Sequence, residues 1–133
     1  MVADVAKAVN LHANLRAITA AAREVRLPIF IAPHHRAEPG EFEGWDHPTP
    51  YQLGASKMQV FAKGTWGGDW HADFAPQSGD IVVKEHWGGS SFANTDLDLL
   101  LKQKGVTRLI IIGLVLLQHG KGADMGAAFG SGA

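Results

Sequence analysis

The sequence predicts a single α/β domain in which helices pack on a parallel sheet. Two observations carry this prediction. The first is that short apolar runs rich in β-branched residues alternate with stretches whose apolar residues recur every three or four positions. The second is the predicted order of helix, strand, loop, strand, helix and strand, which suits parallel strands joined by long connections. The 133 residues are enough for one such domain.

The first half of the chain predicts one helix and one strand. Residues 2–26 form an amphipathic pattern, with an apolar stripe at Leu11, Leu15, Ile18, Ala22 and Val25, and Pro28 ends it. "PIFIA" (residues 28–32) predicts a buried parallel strand. Residues 33–79 are rich in Pro, Gly, His and Trp and show little periodicity, so we expect a functional loop or short elements there.

The second half predicts two more strands around a helix. "DIVVKEH" (residues 80–86) and "RLIIIG" (residues 108–113) have the composition of strands. Between them, Thr95 and Asp98 resemble a capping box at the start of a helix. This helix runs through Lys104 and is stopped by Gly105. Residues 118–133 form a Gly/Ala-rich tail with little to bury.

Composition excludes several classes of function. A formal net charge of -1 argues against nucleic acid or an anionic membrane as an obligatory partner. The longest apolar run, residues 109–117, is too short to span a bilayer, and the first residues lack a signal-peptide pattern, so we expect a cytoplasmic protein. The absence of cysteine excludes disulfides, thiolate metal sites and a cysteine nucleophile within these residues.

Lys84 is the first candidate functional residue, because it follows an apolar run at the predicted carboxyl end of a strand. Open α/β sheets place their ligand crevice at that edge, where a lysine can stabilise an anion or shuttle a proton. The alternative is a side chain that extends from the strand end into water.

The seven histidines raise the question of a metal site. His34 and His35 are adjacent, and neighbours in an extended segment point to opposite faces, so we do not expect them to hold one ion together. The triplet "DWH" (residues 69–71) superficially resembles a metal-ligand triplet, but nothing in the sequence relates it to the other histidines. We expect no metal and no cofactor.

The glycine-rich stretches do not predict nucleotide binding. "GTWGGDWH" and "HWGGSS" have neither the Rossmann nor the P-loop spacing. Ser90 and Ser91 lie near His86 in sequence, but no nucleophile elbow surrounds them, so a loop leading to the next helix is favoured.

Taken together, the motifs resemble the isochorismatase-like family of cysteine hydrolases over roughly residues 10–114. The most specific part is a strand-end lysine followed by Ser-Phe-x-x-Thr-x-Leu, in which Ser91, Phe92, Thr95 and Leu97 match, and then a helix, an apolar strand and Gly-Leu. The resemblance implies a three-layer α/β/α fold of Rossmann-like topology with a mostly parallel sheet.

The resemblance also implies a catalytic triad of Asp, Lys and Cys, in which the thiolate attacks an amide or similar carbon. Lys84 matches the family lysine. The family aspartate ends a strand that would precede the first helix, and Asp4 is not a credible substitute. The family cysteine would follow Gly113 and Leu114 at the position of His119. We therefore interpret the chain as a single incomplete domain, truncated at both ends.

Two functions follow from this resemblance. The first is hydrolysis of a small amide, imide or vinyl ether, impaired by the missing cysteine and aspartate, with Lys84 and His119 as the catalytic candidates. The second is a non-catalytic pseudoenzyme that binds a small molecule. Candidate substrate-binding residues are His34, His35, Trp66, Trp87 and Phe92, although the tryptophans fit a core or a subunit interface equally well.

Self-association is the last expectation. The resemblance implies that a central strand is missing, which would leave unpaired backbone groups at a gap in the sheet. The sheet could close by shifting its register, or the gap could be filled by the N-terminal residues, by the tail or by a strand from a second copy. We expect homo-oligomers.

Overall fold

A computed structural model describes residues 2–112 of the chain. The helices are α1 (Val2–Ala8), α2 (Leu11–Glu24), α3 (Pro50–Met58) and α4 (Leu97–Gln103), with 3₁₀ turns at Trp66–Gly68 and Ala72–Phe74; the strands are β1 (Phe30–Ile31) and β2 (Ile81–Val82). No helix among the described residues is long and apolar enough to cross a membrane.

The two strands pair in parallel, which confirms the predicted α/β class. Phe30 lies opposite Ile81 and Ile31 opposite Val82. A single bridge between His34 and His86 continues the pairing beyond the carboxyl ends of both strands. Parallel pairing matters for function because it brings the segments after β1 and β2 to the same edge of the sheet.

The amino-terminal segment forms two helices, so the prediction of one helix over residues 2–26 was wrong. Asn10 has a left-handed backbone with φ 48°, a conformation that asparagine tolerates better than most residues. The side-chain amide of Asn14 donates to the Val9 carbonyl at 2.8 Å, which satisfies an acceptor left open at the break. The break separates α1 from α2, and α2 buries Leu15.

The third predicted strand is absent from residues 108–112, and Gly113 lies outside the described residues. Leu109, Ile110 and Ile111 are 46%, 88% and 80% exposed. A strand exists only where a neighbour completes its hydrogen-bond ladder, and within residues 2–112 the sheet has two strands, neither of which pairs with this segment.

The predicted helix after β2 is confirmed, although it begins at Leu97 rather than beside Thr95. Asp96 occupies the N-cap position, so the predicted capping box is wrong. The Thr95 hydroxyl instead accepts a hydrogen bond from the Leu97 amide at 3.3 Å.

The main apolar core joins α4 to the sheet. Val83 is 2% exposed and packs with Leu97 and Leu101 of α4, and partly buried apolar side chains surround them: Phe30, Ala32, Leu100 and Val106. Val83 immediately precedes Lys84, so the packing of the most buried side chain in this core fixes the backbone position of the lysine.

Candidate active site

Lys84 follows β2 and is held through its backbone. Its N–H donates to the carboxylate of Asp96 at 2.8 Å, and Asp96 occupies the N-cap position of α4. The Lys84 side chain is exposed, and no ion pair within residues 2–112 includes its ammonium. The structure therefore presents a cation at the edge where the sequence predicts one.

A polar network surrounds His35 beside this edge. Its Nε2 lies 2.8 Å from the Glu41 carboxylate and its Nδ1 lies 3.2 Å from the Glu85 carboxylate. Glu85 also accepts from Arg36 twice, from the backbone N–H at 2.9 Å and from the guanidinium at 2.6 Å. The His35 ring stacks on Trp87, with centroids 3.6 Å apart. His35 is thus fixed on two edges and one face.

His34 belongs to a different set of contacts. Its Nδ1 lies 2.9 Å from the His35 carbonyl and its Nε2 lies 3.0 Å from the Tyr51 hydroxyl. The ring packs against Phe61 at 4.5 Å and against the buried ring of His86 at 5.2 Å. The two adjacent histidines contact different partners, as expected for an extended segment.

Burial determines the protonation of His34 and of Tyr51, its hydrogen-bond partner. Burial lowers the pKa of His34 below its ordinary 6.5, and it raises the pKa of Tyr51 above its ordinary 10.0. The phenol therefore keeps its proton and donates to Nε2, while the neutral imidazole donates from Nδ1 to the carbonyl. His34 can accept a proton from a substrate or water only after the Tyr51 bond opens.

The carboxylates of the network are stabilised as anions. Burial acts to raise the pKa of Glu41 and of Glu85, but hydrogen bonds outweigh it and hold both values below the ordinary 4.5. The donors are His35 and the Glu38 amide for Glu41, and Arg36 for Glu85. Both groups are charged near neutral pH and hold His35 between them.

A polar cavity of about 420 Å³ opens beside this network. Its lining residues are His35, Arg36, Glu38, Pro39, Gly40, Glu41, Lys63 and Glu85. A second space of about 20 Å³ lies between His34, Tyr51 and Trp87, and its size suits a single water molecule. The larger cavity has the volume of a small-ligand site. Lys84 does not line it, whereas its neighbour Glu85 does.

The structure brings together only some of the candidate site residues. His34, His35 and Trp87 lie at one edge with Lys84. Trp66 is 70% exposed and Phe92 is 44% exposed, and neither takes part in the ring contacts found within residues 2–112. His119 lies outside the described residues.

Sequence reasoning missed the acidic partners of His35 and the phenol beside His34. Glu85 directly follows Lys84 and Glu41 lies in a loop without periodicity, so nothing in the sequence pairs either with His35. The sequence does contain a signal that could have located Tyr51. "TPYQ" (residues 49–52) is a capping box with proline at the first helical position, and it begins α3. That signal places Tyr51 on the first turn of a helix.

The curated proteins similar to this chain include ureidoacrylate amidohydrolases. The RutB protein of Pantoea ananatis is 29% identical over 122 residues, which cover 84% of this chain and 48% of that protein. The RutB proteins of Agrobacterium fabrum and Rhizobium rhizogenes are each 39% identical over 57 residues, or 42% of this chain and 24% and 22% of theirs. The chain spans about half or less of the length of these relatives.

Family comparisons give two matches of different extent. Residues 101–133 match the preprotein translocase SecG subunit family, a stretch too short to show membership and mostly outside the described residues. The Isochorismatase domain family matches residues 1–116, which include β1, β2, α4 and Lys84. This match covers most of the chain and agrees with the motif around Lys84, so the chain belongs to the isochorismatase family.

Proposed function

We propose that this chain binds a small amide or ureide at the carboxyl ends of β1 and β2, as the hydrolase-type domain of its family, with a three-layer α/β/α arrangement. The observation that carries the proposal is the position of Lys84, an exposed cation without an ion pair in residues 2–112, next to the Glu85 wall of the 420 Å³ cavity.

The chemistry of the cavity supports a polar ligand. Its walls carry the donors Arg36 and Lys63, which pair with Glu85 and Glu38, and the acceptor Glu41, which pairs with His35. A polar ligand would exchange contacts with these groups. An amide or ureide offers N–H donors and a carbonyl acceptor, so both kinds of wall can be satisfied. From its position beside the Glu85 wall, the Lys84 ammonium would donate to the carbonyl oxygen of the bound ligand.

We propose further that this chain does not hydrolyse its ligand through a thiol. No cysteine occurs among the 133 residues. Any remaining hydrolysis would use Lys84, His119 or a water held by His34 or His35. Both nitrogens of His34 and of His35 already have partners, which favours a binding role without turnover.

The test is ligand binding to the full chain, measured by saturation-transfer NMR with ureidoacrylate, other small ureides and simple amides. We expect Lys84→Ala to abolish the signal for at least one ureide. Lys57→Ala is the matched control, because Lys57 is an exposed lysine in the last turn of α3. Equal signals for the two variants would remove Lys84 from the site, and no signal for any compound would refute the proposal.

Hydrolysis is assayed on the same panel. We expect rates equal to the buffer background for the unchanged chain and for Lys84→Ala. A rate above background that Lys84→Ala removes would contradict the non-catalytic proposal and favour hydrolysis without a thiol.

A specific observation also favours self-association. Ile110 is 88% exposed and Ile111 is 80% exposed, in a β-prone run that has no strand partner within residues 2–112. We propose that a second copy covers this segment. Light scattering after gel filtration should give the mass of a dimer or larger species, and Ile110→Lys should shift it to the monomer. A monomeric unchanged chain at micromolar concentration would refute this.

A further inference from the structure

Two histidines and an aspartate meet at a place separate from the candidate active site. His12 lies in the first turn of α2, His71 caps the Ala72–Phe74 3₁₀ turn, and Asp73 lies inside that turn. Each offers one ligand atom, and these atoms all lie within 4.8 Å of one another. The cluster shares no residue with the His35 network.

The fold holds this cluster together by several contacts. The Arg16 guanidinium on α2 forms an ion pair with the Asp73 carboxylate, which joins the helix to the turn. The rings of His12 and His71 meet edge to face at 5.2 Å. Phe74 packs against both rings, at 6.0 Å from His12 and 5.3 Å from His71. The three groups are therefore positioned by packing from two distant parts of the chain.

We propose that His12, His71 and Asp73 bind one zinc ion or a similar divalent transition metal. Two imidazole nitrogens and one carboxylate oxygen form a usual three-ligand zinc set, and water occupies the fourth position. Zinc bonds of about 2.0–2.2 Å place tetrahedral ligand atoms about 3.3 Å apart. Ligand atoms within 4.8 Å reach that spacing by small side-chain rotations, and the side chains of His71 and Asp73 are exposed enough to make them.

The ligand set also determines which ions are excluded. Mg²⁺ and Ca²⁺ prefer oxygen ligands, and this cluster offers a single carboxylate. Imidazole nitrogen suits zinc, copper and nickel. Zinc is therefore the probe that tests the site.

Among the contacts described for residues 2–112, one of Asp73 and one of His71 compete with the metal. Arg16 occupies the Asp73 carboxylate and places a positive charge beside the cluster. The Asp73 backbone N–H donates to Nδ1 of His71 at 3.2 Å, a long bond that a metal–nitrogen bond can replace. Removing the guanidinium should leave the carboxylate available and lower the repulsion of a cation. A surface histidine that binds zinc nonspecifically would not respond to this change.

The experiment uses the full chain, treated with EDTA and dialysed, and titrated with Zn²⁺ against a chromogenic chelator. We expect one zinc per chain, with binding weakened at least about tenfold in His71→Ala and in His12→Gln. His47→Ala should bind zinc as the unchanged chain does, because His47 is exposed and outside the cluster. Arg16→Gln should tighten binding by about two- to fivefold.

Circular dichroism of each variant without metal shows that it is folded, and His12→Gln provides a second test if His71→Ala is not. The proposal is overturned if the unchanged chain binds no stoichiometric zinc. It is also overturned if folded His71→Ala or His12→Gln binds zinc as tightly as His47→Ala does.

Discussion

His35 lies flat on Trp87, with 3.6 Å between the ring centroids and 15° between the ring planes. Trp87 also meets Trp45 at 5.4 Å and Phe42 edge to face at 6.1 Å. The Trp87 indole therefore joins the polar network of the candidate site to an aromatic cluster, Phe42 and Trp45, in the loop between β1 and α3. Stacked aromatic pairs contribute beyond the area that they bury.

The first prediction concerns this indole. We expect Trp87→Ala to lower the free energy of unfolding by about 1–3 kcal/mol, because it removes the packing of His35, Trp45 and Phe42. Trp66→Ala is the control: Trp66 is 70% exposed, so its removal should change stability by less than about 0.5 kcal/mol. Urea unfolding followed by far-UV circular dichroism measures both, and equal losses would show that the stack does not stabilise the fold.

The second prediction contrasts a partly buried ion pair with an exposed one. The Asp80 side chain is 3% exposed and accepts two hydrogen bonds from Arg23, at 3.2 and 2.7 Å. Asp80→Asn should cost about 1.5–3 kcal/mol, since it weakens charged hydrogen bonds away from solvent. The Asp98–Lys102 pair on α4 is exposed, so Asp98→Asn should cost only about 0.3–0.5 kcal/mol. The comparison uses urea midpoints, and similar losses for the two variants would contradict it.

The third prediction concerns Gly68. A Cβ atom at this position would lie 2.1 Å from the Ala62 carbonyl oxygen. That oxygen already accepts from the Thr65 hydroxyl at 2.7 Å, so it cannot move without losing a hydrogen bond. Gly68→Ala should therefore destabilise the fold by about 1–3 kcal/mol.

Gly44→Ala is the matched control, because nothing lies within 4 Å of a Cβ placed there. Thermal unfolding should leave the midpoint of Gly44→Ala unchanged or slightly raised, since alanine restricts the unfolded chain. An unchanged midpoint for Gly68→Ala would show that the backbone around Ala62 can shift at little cost.

The fourth prediction is a loss of stability in mild acid. Burial lowers the pKa of His34 below 6.5, so the unfolded chain takes up this proton more readily than the folded chain. The resulting stabilisation is complete above pH 6.5 and is lost as pH falls through the lower folded pKa. A second loss begins near pH 4.5, where Glu41 and Glu85, whose folded pKa values are also lowered, start to protonate in the unfolded chain.

The measurement is the urea midpoint at about pH 7.5 and about pH 5.5. The unchanged chain should be less stable at the lower pH, and His34→Gln should show a smaller difference. His47→Gln, at an exposed position, should behave as the unchanged chain does. A difference that His34→Gln does not reduce would assign the titration to another group.

The sequence predicts those parts of the fold that depend on local pattern. The runs at residues 28–32 and 80–86 contain the paired strands, and the periodic stretch after Thr95 contains α4. The apolar spacing continues across Asn10, so the sequence pattern does not reveal the break between α1 and α2. The break depends on the left-handed backbone of this one residue. Residues 108–112 have the composition of a strand, but composition does not supply a neighbour to pair with.

The same distinction applies to the candidate site: residues marked by a local pattern are predictable, and contacts that depend on tertiary structure are not. Lys84 is predictable because the end of an apolar strand marks a ligand edge, and the family motif follows it. The contacts of His35 with Glu41 and Glu85 depend on how a loop closes over the sheet. Similarly, the "DWH" triplet suggested Asp69 with His71, yet the Asp69 carboxylate accepts from its neighbour Trp70 at 2.9 Å, and His71 lies with His12 and Asp73 instead.

Helix α2 is fastened at two points to the segment that precedes β2: Arg16 binds Asp73 and Arg23 binds Asp80, and 57 residues separate each pair. Contacts this distant in sequence form only after a long loop closes. During synthesis α2 therefore leaves the ribosome well before either aspartate exists. Until Asp73 emerges, the helix has neither of these anchors, and the second forms only after Asp80 follows, so the docking of α2 depends on the later half of the domain.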